Sequence, residues 1–137
     1  MDEKANLMKT GTFLVISLLF CCMSVACTVE IKSSDTIVKR GRVYQRGQDH
    51  PFTGIVVGQG RIGYRDFVCL YEKQYKDGLL DGRSYYYYEN GKLESIEPYD
   101  KGQLNGMMTQ YYPNGKIKAR IHLENGQRGG SKGEMFW

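Results

Sequence analysis

The sequence predicts an all-β fold, an antiparallel β-meander of stacked hairpins, and three observations carry that prediction. Glycine pairs four residues apart, Gly78/Gly82, Gly102/Gly106 and Gly126/Gly130, recur every 24 residues. The triplets Asn90-Gly91-Lys92 and Asn114-Gly115-Lys116 keep the same period. Ile117, Ala119, Ile121 and Leu123 alternate with Lys118, Arg120, His122 and Glu124, the period of two that sends apolar and polar side chains to opposite faces of a strand. A repeat this short cannot bury an apolar face alone and must stack on copies of itself.

Taken in chain order, residues 1–27 form the first segment. From Gly11 to Ala26 the chain is almost wholly apolar or small, it follows Lys4 and Lys9, and it closes on Ser24-Val25-Ala26-Cys27. The apolar stretch is shorter than the roughly 20 residues a spanning helix needs and suits the hydrophobic helix of a cleaved export signal. Cleavage is expected between Ala26 and Cys27, with Cys27 lipidated as in the lipobox of bacterial lipoproteins. Ser24 stands where that box usually carries leucine, so simple secretion is the alternative. Residues 28–35, containing Lys32-Ser33-Ser34, are expected to tether the membrane anchor to a repeat domain over 36–137.

Within that domain the units fall near 52–77, 78–101 and 102–125, with a truncated copy at 126–137. Pro51-Phe52-Thr53-Gly54 opens the first, with Phe52 in the place of Leu80 and Leu104. Its spacing to the next loop is 28, which implies a four-residue insertion around Gly58 to Gly63. Asn90-Gly91 and Asn114-Gly115 predict type I′ turns, which need two residues of positive φ. The Gly-x-Leu-x-Gly loops return the chain between units with the leucine over the sheet. Gly54, Gly78, Gly82, Gly102, Gly106, Gly126 and Gly130 are thereby assigned to structural turns. In the last loop Arg128 replaces the leucine.

The Pro51-Phe52-Thr53-Gly54 opening, the Tyr-Tyr-x-Asn-Gly-Lys-Leu/Ile arms and the Tyr-x-x-Gly-x-Leu-x-Gly loops resemble the MORN-repeat-variant family of bacteria, often labelled YwqK-type antitoxin-like proteins. The resemblance runs from about Val43 to Trp137. It implies a meander that grows hairpin by hairpin and contacts protein or membrane along its faces, and it brings no catalytic residue with it.

The residues themselves point to binding without catalysis. Nucleophile elbows, phosphate-binding glycine loops, paired cysteines and His-Glu-x-x-His are absent from the sequence. Asp49 and His50 precede Phe52 while His122 belongs to a distant strand, which is no metal-ligand spacing, and neither metal nor cofactor is expected. Glu94 and Glu97, three apart, are expected on opposite faces of their strand. Cys69 is the cysteine left after the leader and, in register with Leu93 and Ile117, is expected to be a small buried hydrophobe. The formal charge of +4 is unchanged by removal of the leader, whose Lys4 and Lys9 balance Asp2 and Glu3. Such a mild excess without a dense cationic stripe argues against nucleic acid.

The candidate interaction surface is the tyrosine run Tyr85, Tyr86, Tyr87 and Tyr88 with Tyr111, Tyr112, Lys118 and Arg120. One parity of the run packs inward and the other faces out. The expected role is an exported, lipid-anchored envelope protein whose sheet contacts another envelope protein or the membrane surface. The alternative is an antitoxin-like protein that neutralises a toxin by direct binding. The truncated last unit leaves a strand edge suited to pairing with a second copy.

Overall fold

The computed structural model describes residues 28–60, 68–128 and 134–135. The leader with Ala26 and Cys27 lies outside them, as do Gly130, Phe136 and Trp137. The strands are β1 (Glu30–Lys32), β2 (Thr36–Lys39), β3 (Arg42–Gln45), β4 (Gly54–Gly60), β5 (Cys69–Lys76), β6 (Leu79–Leu80) and β7 (Gly82–Tyr87). They continue with β8 (Leu93–Asp100), β9 (Gln103–Leu104), β10 (Gly106–Tyr111), β11 (Ile117–Glu124), β12 (Gln127–Arg128) and β13 (Glu134–Met135). β4, β5, β7, β8, β10 and β11 lie side by side in chain order, each antiparallel to its predecessor. The all-β hairpin meander is therefore the observed fold. β2 and β3 form a separate two-stranded hairpin.

Two kinds of turn connect the strands, and the residues that make them differ from expectation. The type I′ pattern falls on Asp77-Gly78 (φ 49° and 78°), Lys101-Gly102 (48° and 88°) and Asn125-Gly126 (48° and 77°). These turns lead into the two-residue strands β6, β9 and β12, so Leu80 and Leu104 are ladder residues rather than loop residues lying over the sheet. Asn90 and Asn114 do not have positive φ; only Gly91 (80°) and Gly115 (86°) do. Their turns have three residues: the Gly91 N–H donates to the Tyr88 carbonyl (2.9 Å) and the Tyr88 N–H to the Lys92 carbonyl (2.8 Å). This is a turn closed by a left-handed glycine, in which Asn90 Oδ1 accepts from the Lys92 N–H at 3.0 Å. In the second copy Pro113 takes the first central position, and its ring holds φ near −65°, which excludes type I′.

A repeated backbone bond stacks each unit on the one before. The Gly78 N–H donates to the Phe52 carbonyl (2.8 Å), Gly102 to Leu80 (2.7 Å) and Gly126 to Leu104 (2.8 Å). Phe52 therefore does the work of the later leucines. The four-residue insertion expected around Gly58 to Gly63 does not interrupt β4. Gly58 and Gly60 sit in unbroken register opposite Tyr71 and Cys69, so the extra length lies after Gly60.

Beyond each three-residue turn the ladder slips by one, between Tyr86 and Tyr87 and again between Gln110 and Tyr111. Glu94 and Lys118 are the extra residues at these bulges, and the alternation breaks there. Glu94, Ser95 and Glu97 are consequently all buried, and the expectation that the two glutamates face opposite sides fails.

Residues facing each other across an antiparallel pair share a face. One row on the inner face runs Gly58, Tyr71, Tyr86, Ser95, Gln110, Ala119. Tyr86 is 1% exposed, and Lys73 Nζ lies 4.5 Å from the Tyr71 ring centre and 5.7 Å from that of Tyr86. Cys69 is buried, as expected of a small hydrophobe.

Within residues 28–35, expected as a tether, Glu30–Lys32 join the sheet instead. β1 pairs with β4 in parallel, Ile31 opposite Val56, and Ile31, Phe52 and Val56 make a buried apolar cluster with Val43 and Tyr75 against it. The parallel direction follows from the route, since the chain crosses through the Ser33–Asp35 3-10 turn and the β2–β3 hairpin before β4 begins. Gly54 permits the approach, because a Cβ there would lie 2.3 Å from the Val29 carbonyl oxygen.

Three substitutions test this account. Gly126→Ala meets only the left-handed φ and is expected to cost about 1–2 kcal/mol in urea denaturation. Gly78→Ala meets the same φ and also sets a Cβ 2.8 Å from the Val43 carbonyl, so its cost should be clearly larger. Ser84 Oγ is buried with no hydrogen-bond partner, so Ser84→Ala should be neutral or stabilising by up to ~1 kcal/mol in the same assay.

Candidate functional site

The opposite, outer face carries an uninterrupted cross-strand row: Val57, Glu72, Tyr85, Ile96, Thr109 and Arg120, one residue from each of the six central strands. Flanking it, Arg83 faces Pro98 and Met107 faces His122 on one side. On the other, Leu70 faces Tyr87 and Tyr87 faces Leu93. Every one of these side chains keeps solvent exposure, and Leu70 and Met107 are 45% and 51% exposed. The face is aliphatic and aromatic at its centre. Glu72 lies towards one end, and the exposed Arg83 and Arg120 lie beyond it.

The tyrosine run divides as a strand requires. Tyr86 belongs to the buried inner row and is not part of a contact surface, which corrects its place among the candidates. Tyr85 and Tyr87 lie on the outer face, half-buried. Tyr88, at the end of the arm, donates its hydroxyl to the Tyr111 carbonyl at 2.7 Å and so ties one unit to the next. Tyr111 is half-buried opposite Ile117 at the bulge. Lys118 and Arg120 are both exposed but do not form a simple pair. Lys118 is the bulged residue, with Nζ 5.9 Å from the Tyr112 ring centre, and Arg120 stands opposite Thr109. The role of the bulges was invisible in the periodicity. The signal that could have found them is the Tyr-Tyr-x-Asn-Gly-Lys turn, whose three-residue form commonly comes with a slip in register.

Tyr87 donates its hydroxyl to Glu72 Oε1 at 3.2 Å. Burial raises the Tyr87 hydroxyl above its ordinary pKa, with the Glu72 charge and this hydrogen bond adding to the effect. Burial likewise raises Tyr75, with Tyr71 contributing. Elsewhere Glu97 accepts from Tyr99 at 2.9 Å, which gives that buried carboxylate a structural partner. His50 is exposed in the loop before β4, while His122 on β11 stands 3.9 Å from Glu124. β4 and β11 lie towards opposite ends of the sheet, so the two histidines do not converge. Among the described residues no group of three histidine, cysteine, aspartate or glutamate side chains is placed to hold a metal ion. The truncated unit supplies β13, which pairs with β11 at Ala119 and Arg120, so part of the last strand edge is covered by the chain itself.

A family model described as MORN repeat variant matches residues 80–101 and 104–125. The matched segments are the two regular units, each beginning at the leucine whose carbonyl accepts the next turn's glycine. No curated protein and no solved structure matches the chain.

The raised tyrosines, Tyr87 on the outer face and Tyr75 against the inner apolar cluster, make alkaline stability a readout of the folded sheet. In the unfolded chain both ionise near their ordinary pKa of about 10, whereas the folded protein holds those protons to higher pH. The folded state then binds more protons, so stability should fall as pH rises past about 10 and through the folded-state values. Melting temperatures from pH 8 to 11.5 should decline, and Tyr75→Phe with Tyr87→Phe should flatten that decline.

Proposed function

We propose that the chain is an exported, lipid-anchored and non-catalytic interaction module, whose repeat sheet meets another envelope protein or the membrane surface through its outer face. The observation that carries this reading is the unbroken outer row from Val57 to Arg120, in which none of the side chains is buried, whereas Tyr86, Ser95 and Ala119 of the inner row are. A regular surface that combines Tyr85 and Ile96 with exposed arginines has the aromatic and Arg content of contact surfaces. The address rests on the apolar stretch from Gly11 to Ala26 and on Cys27 after it. Neutralising a toxin, as the YwqK-type resemblance implies, would use the same face. The leader favours the exported role, because a neutraliser of that kind acts in the cytoplasm.

The test joins address to surface. Cells fed radiolabelled fatty acid should label the wild-type protein and leave Cys27→Ala unlabelled. Crosslinking of the anchored form should capture a membrane-associated partner, and Met107→Asp with Arg120→Glu should reduce capture at least tenfold. Both residues are exposed, so their effect on stability should stay within about 0.5 kcal/mol. A protein that takes no label, or capture indifferent to both substitutions, would overturn the proposal.

A further inference from the structure

Between the Ser33–Asp35 turn and the Asn90-Gly91 turn lies a cleft of about 790 Å³, lined by outer-face residues of β4, β5 and β7 and, around the β4 edge, by Gly58 and Tyr71 of the inner row. That volume falls within the roughly 300–1,000 Å³ of small-molecule sites. We propose that this cleft binds a neutral saccharide, a reading that rests on the outer face being a binding surface and gives it a ligand class.

The floor is apolar and flat. Val57 and Leu70 lie on the outer face of β4 and β5, and Tyr87 stands beside Leu70 across the β5–β7 pair. Leu70 is 45% exposed, which leaves its side chain open to a ligand. A sugar ring offers a weakly polar C–H face of matching character, and an aromatic side chain with a polar tip suits a ligand that is apolar on one side and wet on the other.

The rim is polar and supplies both senses of hydrogen bond. Glu72 is held in place by the Tyr87 hydroxyl on Oε1, and a carboxylate with two oxygens retains capacity for ligand hydroxyls. Such charge-assisted bonds are stronger than neutral ones. Gln59 adds an amide that both donates and accepts. At the β4 edge a Cβ on Gly58 would lie 2.5 Å from both Ser33 Oγ and the Tyr71 hydroxyl, so these two hydroxyls bound the cleft from the inner side of the sheet. At the mouth, a Cβ on Gly91 would meet nothing within 4 Å, so the turn leaves the opening clear.

Charge selects among ligand classes. The charged residues lining the cleft are Lys32 and Glu72, one of each sign. A nucleotide or polyphosphate would need a surplus of cations or a cradle of backbone N–H groups, whereas a neutral polyhydroxyl ligand needs neither.

The experiment uses the full-length protein in detergent, titrated calorimetrically with neutral gluco- and N-acetylglucosamine oligosaccharides. A polyanionic oligosaccharide and an unstructured peptide serve as the contrasting probes. Saturable binding of a neutral oligosaccharide is expected, weakened about tenfold or more by Glu72→Gln and by Leu70→Asp. Unchanged melting temperatures establish that the variants are folded, and Leu70→Asp is the safer of the two because its side chain is already in solvent. No saturable binding by any neutral oligosaccharide, binding confined to the polyanion or the peptide, or affinity indifferent to both substitutions would overturn the inference. Crosslinking at the Arg120 end, scored on the same preparations, separates the two readings. If capture persists while saccharide binding fails, the cleft alone is misassigned; if both fail, so is the outer face.

Discussion

The architecture depends on one backbone bond made three times. In each unit the glycine of a two-residue turn donates its N–H to the carbonyl of the apolar residue that opened the preceding unit: Gly78 to Phe52, Gly102 to Leu80 and Gly126 to Leu104. The turn that offers this donor needs two residues of positive φ, which Asp77-Gly78, Lys101-Gly102 and Asn125-Gly126 provide. Because the bond joins successive units, it sets where each new hairpin lies. Register along the sheet is therefore fixed from the turns inward, and the side-chain rows on both faces follow from it.

Around that constraint the two faces divide the work. Inner-row residues pack laterally, Lys73 against the rings of Tyr71 and Tyr86, and the neighbouring polar groups are drawn into burial with them. Ser84 has no hydrogen-bond partner, while Glu97 is held by Tyr99. The outer face keeps its apolar and aromatic groups half-exposed, which costs solvation that a contacting surface would recover. The bulges at Glu94 and Lys118 belong to the same design. Each adds twist where an arm leaves its turn, and each ends the simple alternation of faces.

The first unit differs because it begins the array. Among the described residues no earlier unit accepts its turn, and the chain builds a substitute from β1 and the β2–β3 hairpin. The Val43 N–H donates to the Gly78 carbonyl at 2.9 Å, and the Phe52 N–H donates to the Val43 carbonyl at 2.8 Å. Arg42 also donates to the Asp77 carbonyl, which braces the turn from outside. Terminal repeats of arrays commonly need such atypical caps. The cleft at the edge of β1 arises from the same departure, since Lys32, Ser33 and Ser34 have no counterparts in the later units.

The amino-acid sequence by itself determined the all-β meander, the position of its turns and the inward place of Cys69. Those properties are local: glycine spacing specifies where the backbone can reverse, and a period of two specifies which side chains share a face. The stacking of Asp77-Gly78 on Phe52 is tertiary, whereas the three-residue turns carry local marks, the Asn90 Oδ1 that accepts from the Lys92 N–H and the fixed φ of Pro113. The tertiary structure alone decided that Tyr86 is buried while Tyr85 and Tyr87 face out, and that Glu94 and Glu97 are buried together. Alternation defines two faces without saying which is inward, and a one-residue slip reverses the answer beyond it. Ile31 joined the sheet for a reason no local pattern shows: its apolar side chain finds Phe52 and Val56 only after the chain has crossed back.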